Sequence, residues 1–239
     1  MAFAWQKTPE ESPHSTFLIT GGAEILARSS NEIHIEAGSV VAIEGTDTFK
    51  KSFFVDWLMG FQEIGNSSVE FKLGETCIRS HEQRKSISMI IGRSAFTYGE
   101  TVSEAVLYRT NGVRKEALYY FIERLYGSTL KARTNPANPL VDKNSKPIPT
   151  YILNSRELLE IAQINLMLQK PALVTLDFSS SFMHKALSEG FKPAPEIFES
   201  GKTVLVILPS GEQTVHSREE LRARTEKMLG CKFTATIQV

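Results

Sequence analysis

The stretch VVAIEGTDTFKKSFFVDWL, residues 40–58, decides how the rest of the chain is read. Val40 to Ile43 is apolar and β-branched, as a strand covered on both faces requires. Ser52 to Gly60 then carries Phe53, Phe54, Trp57 and Leu58 at helical spacing, with Gly60 placed to close the helix. Between them lies Gly45-Thr46-Asp47-Thr48-Phe49-Lys50-Lys51-Ser52. A strand, a turn and a helix that begins near Lys-Ser is the order of a phosphate-binding loop. Such a loop aims successive backbone N–H groups at phosphates from the positive end of a helix. Its lysine reaches the outer phosphates, and its Ser or Thr hydroxyl ligates magnesium. The usual pattern is GxxxxGK[ST]. Here the first glycine (Gly45), the lysine (Lys51) and the serine (Ser52) stand in place, and the second glycine is Lys50. Asp47 adds a negative charge inside the loop. A side chain forced into a backbone region that favours glycine costs roughly 1–3 kcal/mol. On its own so loose a pattern is more often an ordinary strand–helix turn.

A second feature changes the balance. Leu173-Val-Thr-Leu-Asp177 is another apolar strand, and it ends in an acid. A magnesium-bound phosphate loop anchors its cation on such an Asp, although an Asp at a strand end also commonly caps the next turn. In this order the two features predict a P-loop NTPase-like α/β fold. Its residual nucleotide site is expected at Gly45, Thr46, Asp47, Thr48, Lys50, Lys51, Ser52 and Phe53, and its residual magnesium site at Ser52 and Asp177.

Composition is compatible with this. The chain has 239 residues, 41% of them hydrophobic, and 27 basic residues balance 27 acidic ones. That is enough apolar mass for a large core. Zero net charge argues against an electrostatic grip on nucleic acid or anionic lipid. Cys77 and Cys231 form no metal-spaced pair and read as reduced thiols. Neither a signal-peptide pattern nor a 20-residue apolar run is present, so any membrane association is expected through partners.

Along the chain, residues 1–14 read as a polar tail. Phe17 to Ile19, Glu32 to Glu36 and Val69 to Leu73 read as an early β region, and Ile87 to Ile91 as a further strand. From Thr101 the pattern turns helical, through Ser103 to Tyr108 and Lys115 to Leu125. Lys131 to Pro149, rich in Pro, Asn and Lys, reads as a long exposed loop. Arg156 to Gln169 is a helix, Val204 to Leu208 a buried strand and Glu219 to Leu229 a charged helix. Residues 15–239 are thus expected to form one domain. Its core takes 15–100 and 171–239, and a helical subdomain takes 101–170. Trp57, Phe61, Tyr119, Tyr120 and Phe121 are expected in packing, Arg79, Arg84 and Lys85 on a solvated basic face, and His216 at the surface.

Several segments together resemble the nucleotide-binding subunit of ATP-binding-cassette (ABC) transporters, in degenerate form. Ile33 to Gly45 resembles the strand–turn–strand opening into the phosphate loop. Ile87 to Gly92 resembles the strand before the glutamine loop, and Glu100-Thr-Val-Ser-Glu-Ala-Val the start of the helical subdomain. Leu153-Asn-Ser-Arg-Glu157 and Lys170 to Asp177 resemble the signature motif and the strand of the magnesium-anchoring Asp. Gly201 to Pro209 resembles the strand of the switch histidine. The similarity runs from about Ile25 to about Ser210.

The departures fall on the chemistry. Gly92 stands for the glutamine-loop Gln, and Arg156 and Glu157 fill the signature's Gly and Gln places. Phe178 stands for the catalytic Glu, Ser179 for the Pro after it, His184 for the D-loop Asp and Pro209 for the switch His. Phe17 is the nearest aromatic to the adenine-stacking position. A phenylalanine cannot take a proton from water, and a proline offers no donor to the outer phosphate.

The resemblance therefore implies a catalytically inactive ABC-type subunit, with ATP and magnesium weakly bound or absent. It implies a scaffold or regulatory role in a membrane transport or envelope complex. The expected place is cytoplasmic and peripheral to the membrane. Expected partners are a membrane-embedded permease or envelope-complex protein, and an active ABC ATPase or a second copy of this chain. The alternative is a weakly active ATP-binding subunit of an ABC transporter.

Overall fold

A computed structural model describes residues 17–20, 32–62, 70–73, 76–78, 80–93, 99–110, 112–199, 201–209 and 218–239. Arg79, His216 and the 1–14 segment lie outside them.

The centre is a five-stranded sheet, parallel throughout. It is built from β3 (Val40–Glu44), β6 (Ser88–Ile91), β9 (Leu173–Asp177), β10 (Thr203–Ile207) and β11 (Ala235–Gln238), in the order β11-β3-β10-β9-β6. Every residue of β3, β9 and β10 is buried, which is why these segments read as unbroken apolar runs. The registers Ile207↔Ile43 and Ile207↔Asp177 bring the carboxyl ends of three neighbouring strands level. The turn after β3, the Leu208-Pro209 segment after β10 and Asp177 therefore lie side by side, at the edge where open parallel sheets bind ligands.

One face of the sheet packs Val41, Ile43, Leu205 and Ile207 against α1 (Thr48–Leu58). The other packs Val40, Ala42, Val174, Leu176, Val204 and Val206 against α6 (Ser155–Gln169) and α7 (Ser181–Ser188). A separate antiparallel sheet takes β1 (Phe17–Thr20), β2 (Glu32–Ile35), β4 (Glu70–Leu73) and β5 (Thr76–Cys77), in the order β2-β1-β4-β5. Its Ile35 enters the first core cluster. The expected early β region and mostly parallel central sheet are both present.

The helical region holds α3 (Val102–Leu107), α4 (Lys115–Leu125), α5 (Ser128–Arg133) and α6. Val102, Val106, Leu118, Ile122, Leu130, Ile161 and Ile164 form its core. Helix α6 serves two cores at once: Leu159, Leu166 and Met167 face the sheet, and Leu158, Ile161 and Ile164 face the helices. A helix with apolar demand on both sides is buried nearly all round.

Three expectations need correction. Lys131 to Pro149 is not a bare loop. After α5 it forms a small hairpin, β7 (Thr134–Asn135) with β8 (Asn138–Asp142), and bridges pair Val141 with Pro147 and Thr101 with Pro149. Asn135, Asn138 and Asp142 side chains accept from nearby backbone N–H groups and shape its turns. Arg84 is not on a solvated face. It lies in α2 (His81–Ile87), a helix the apolar pattern does not announce, and its guanidinium stacks 5.2 Å from the Trp57 ring and donates to the Trp57 carbonyl. Phe61 and Tyr120 are not core residues but about half exposed, Tyr120 edge-to-face on Phe121 and Phe61 beneath the Lys85 ammonium. The remaining elements are α8 (Glu196–Glu199) and α9 (Arg218–Leu229).

Candidate functional site

The candidate site lies where β3, β9 and β10 end. Helix α1 begins at Thr48, four residues before the expected start, because Asp47 caps it. Asp47 is extended (φ −87°, ψ 101°), and its Oδ1 accepts from the N–H groups of Phe49 at 2.9 Å and Lys50 at 3.0 Å. These are two of the amides that a helix start leaves free. The Lys51 N–H goes to the Asp47 carbonyl at 3.1 Å. Three amides of the loop, those of Phe49, Lys50 and Lys51, are thus already bonded to Asp47.

Lys51 opens the buried stripe of α1, with Phe54, Val55 and Leu58 following at helical spacing. It is only 1% exposed, and its Nζ donates to the Leu208 carbonyl at 2.8 Å. Burial lowers its affinity for the proton, while the charges of Asp177 and Glu44 pull the other way. Gly45 permits the close approach of β11: a Cβ there would stand 2.3 Å from the Val239 carbonyl oxygen. Thr46, Phe49 and Lys50 are exposed, and Ser52 and Phe53 are half-buried beside the loop.

Asp177 is buried at the end of β9. Its Oδ1 accepts from the Ser179 N–H at 3.0 Å and the Ser179 hydroxyl at 2.5 Å. Its Oδ2 faces Arg93 Nε at 4.0 Å. Arg93 also pairs with Asp56 on α1. Burial pushes the Asp56 carboxyl up, the Arg93 charge and hydrogen bond oppose that, and Asp177 adds to it. Lys51, Asp56, Arg93 and Asp177 thus form one cluster, and Asp56 and Arg93 are members that the sequence reading missed. Asp56 sits among helix residues without a motif, and Arg93 signals itself only by following Gly92.

The remaining positions are filled in ways that disfavour the expected chemistry. Phe178 is 3% exposed and packs in the apolar layer beneath α7, with its N–H on the Ile207 carbonyl. Gly92 has φ +96°, and a Cβ there would stand 2.4 Å from the Met183 methyl carbon and 3.2 Å from the Asp177 carbonyl oxygen. No glutamine fits that position without rearrangement. His184 holds the Phe178 carbonyl through Nε2 at 2.7 Å. Pro209 is half-buried just after β10.

At the start of α6, Asn154 and Glu157 form a capping box. The Arg156 N–H donates to Glu189 Oε2 at 3.0 Å. The Arg156 guanidinium bonds Glu160 at 2.7 Å and the Glu189 carbonyl at 3.2 Å. Phe17 is described only as a member of β1.

A triphosphate with its divalent cation fits these residues poorly. The loop amides serve Asp47, the lysine serves Leu208, and Arg93 stands against the acid that would anchor the metal. Among the described residues no group of three or more His, Cys, Asp or Glu is placed to hold a metal ion, and no helix is long and apolar enough to cross a membrane.

No protein-family profile matches the sequence, and no curated protein matches it. Solved structures do match. One is a bacterial Atm1-family ABC exporter with ATP bound, which superimposes with a TM-score of 0.56 at 14% identity. The match covers 81% of this chain and 34% of the exporter chain, so this chain spans about a third of that protein's length. At such identity the likeness is one of fold: the chain shares an α/β architecture with part of an ABC exporter.

Proposed function

We propose that this chain is an ABC-type cassette that keeps the P-loop ATPase fold without its hydrolytic chemistry. It serves as a scaffold or regulatory subunit of a membrane transport or envelope complex. It works on the cytoplasmic side, peripheral to the membrane, through a membrane-embedded permease or envelope protein, with an active ABC ATPase or a second copy of itself as further partner. The observation that carries this reading is Phe178. The residue after the metal-anchoring Asp is buried in an apolar layer, where no group can activate water. The fold likeness to an ABC exporter supports partners of the transport class. A fold retained without its chemistry is best explained by a retained interface.

A second reading, a weakly active ATP-binding subunit, draws on the side-by-side placement of Lys51 and Asp177 at neighbouring strand ends. ATP and magnesium would then be held weakly by Lys51, Ser52 and Asp177. The test is steady-state ATP hydrolysis by the full chain, alone and with the proteins that co-purify with it, beside Lys51→Ala. The proposal expects no turnover that depends on Lys51. Turnover abolished by Lys51→Ala would overturn it in favour of the second reading.

A further inference from the structure

The poor fit to a nucleotide has a positive counterpart: the chain supplies its own charges where a nucleotide and its cation would bring theirs. At the start of α1 the Asp47 carboxylate accepts from the amides of Phe49 and Lys50. At the start of α6 the Glu189 carboxylate accepts from the amide of Arg156. Both helix starts carry the positive end of a helix dipole, which favours an anion. In each case the anion is a side chain of this protein.

The cation side mirrors this. The half-buried Asp56 and the buried Asp177 both face Arg93, which sets a positive charge between two carboxylates. Arg93 bonds Asp56 and lies 4.0 Å from Asp177 Oδ2, and the Asp177 charge also acts on Lys51. A divalent ion entering the cluster would stand against the Arg93 charge, and it would need oxygen ligands at about 2.1 Å that Arg93 and Ser179 already engage. The left-handed turn at Gly92 is what ends β6 and delivers Arg93 to the mouth of the cluster.

We propose that Asp47 holds the place of a phosphate and Arg93 the place of the divalent cation, so that the cassette is locked in one conformation without ligand. This rests on the reading as an inactive cassette and deepens it: the protein would present a constant surface to its partners whatever the nucleotide level.

The experiment is thermal unfolding of the full chain, its Arg93→Gln and its Arg93→Lys variants, in millimolar MgCl2 or MnCl2 against NaCl of matched ionic strength. Arg93→Gln is expected to melt about 5 °C lower, and the divalent salt to restore at least half of that loss. Arg93→Lys, which keeps the charge, is expected to melt close to the wild type, and the wild type to show no ion-specific shift. A wild type stabilised by the divalent ion as much as Arg93→Gln, or an Arg93→Gln that melts like the wild type, would overturn the proposal. Where Arg93→Gln does not fold, the anion side decides. Asp47→Gly combined with Lys50→Gly should bind ATP at least tenfold more tightly than the wild type by calorimetry, and a folded variant without that gain overturns the proposal. These are melting and binding measurements. Turnover would sink the inactive-cassette reading, whereas a silent divalent response of a folded Arg93→Gln sinks only this one.

Discussion

The Lys51 ammonium donates to the Leu208 carbonyl oxygen at 2.8 Å across the first turn of α1. Leu208 follows the last residue of β10, so this bond ties the helix start to the central sheet. The lysine that would reach for an outer phosphate is instead an internal strut, buried at the head of an apolar stripe.

That burial has a consequence for pH. The folded protein binds the Lys51 proton less tightly than the unfolded chain does, because desolvation outweighs the attraction of Asp177 and Glu44. A depressed folded pKa contributes stability above the ordinary value near 10.5, and that contribution is lost as pH falls through the lowered folded value. In urea unfolding between neutral pH and pH 10.5, the wild type should gain stability relative to Lys51→Met as pH rises through that window. Parallel curves for the two proteins would show that Lys51 is as well solvated as an exposed lysine.

Asp47 should matter for stability more than its exposed neighbour. Asp47→Ala removes the side chain that bonds the Phe49 and Lys50 amides. The expected loss is about 1 kcal/mol, typical of an N-cap deletion, whereas Lys50→Ala should fall within about 0.5 kcal/mol of the wild type. Chemical denaturation midpoints at constant slope check both values. An unaltered Asp47→Ala would mean that solvent replaces the cap at no cost.

Placing a glutamate after Asp177 should not create catalysis. Phe178 packs with Leu176, Met183 and Val206. Truncating it to Ala should cost about 3–5 kcal/mol. Phe178→Glu should cost at least as much, since it adds an unpaired buried carboxylate. The expected result is a destabilised or unfolded protein without ATP hydrolysis, read by circular dichroism and phosphate release. A stable Phe178→Glu protein would place this side chain closer to water than its 3% exposure indicates.

How much of this was legible in the sequence depends on which force places each residue. Strands β3, β9 and β10 were readable because burial on both faces leaves an unbroken apolar run, and their order placed the loop and Asp177 together. The start of α1 was misplaced by four residues because the readable apolar pattern begins only at Phe53, while the cap at Asp47 fixes the true start. The hairpin at 134–142 was hidden by its composition: polar side chains bonded to their own backbone look like loop. The Arg93–Asp56 pair joins residues 37 positions apart in sequence, and charge pairs carry no periodicity. Helix α2 could have been found from its Ser80–Gln83 capping box.

Arg156 offers the last expectation, because it stands where a glycine would open the start of α6. Arg156→Gly would recover that space and lose the guanidinium: its hydrogen bonds to Glu160 and the Glu189 carbonyl, and its place beside Gly127 and Gly190. Glu160 is buried and, among the described residues, would keep the Gly127 N–H as a hydrogen-bond partner. Breaking a buried pair from one side costs about 3–5 kcal/mol, but Arg156 is about one-third exposed, so the pair itself is screened. Glycine inside a helix adds about 1 kcal/mol. The expected loss is therefore about 2–3 kcal/mol in all. Glu160→Gln in the same background removes the orphaned charge and should return part of it. In a double-mutant cycle by urea denaturation the two losses should fall short of additive by about 1 kcal/mol. Strict additivity would mean that the Arg156–Glu160 contact contributes nothing, and that Glu160 is held by the Gly127 amide.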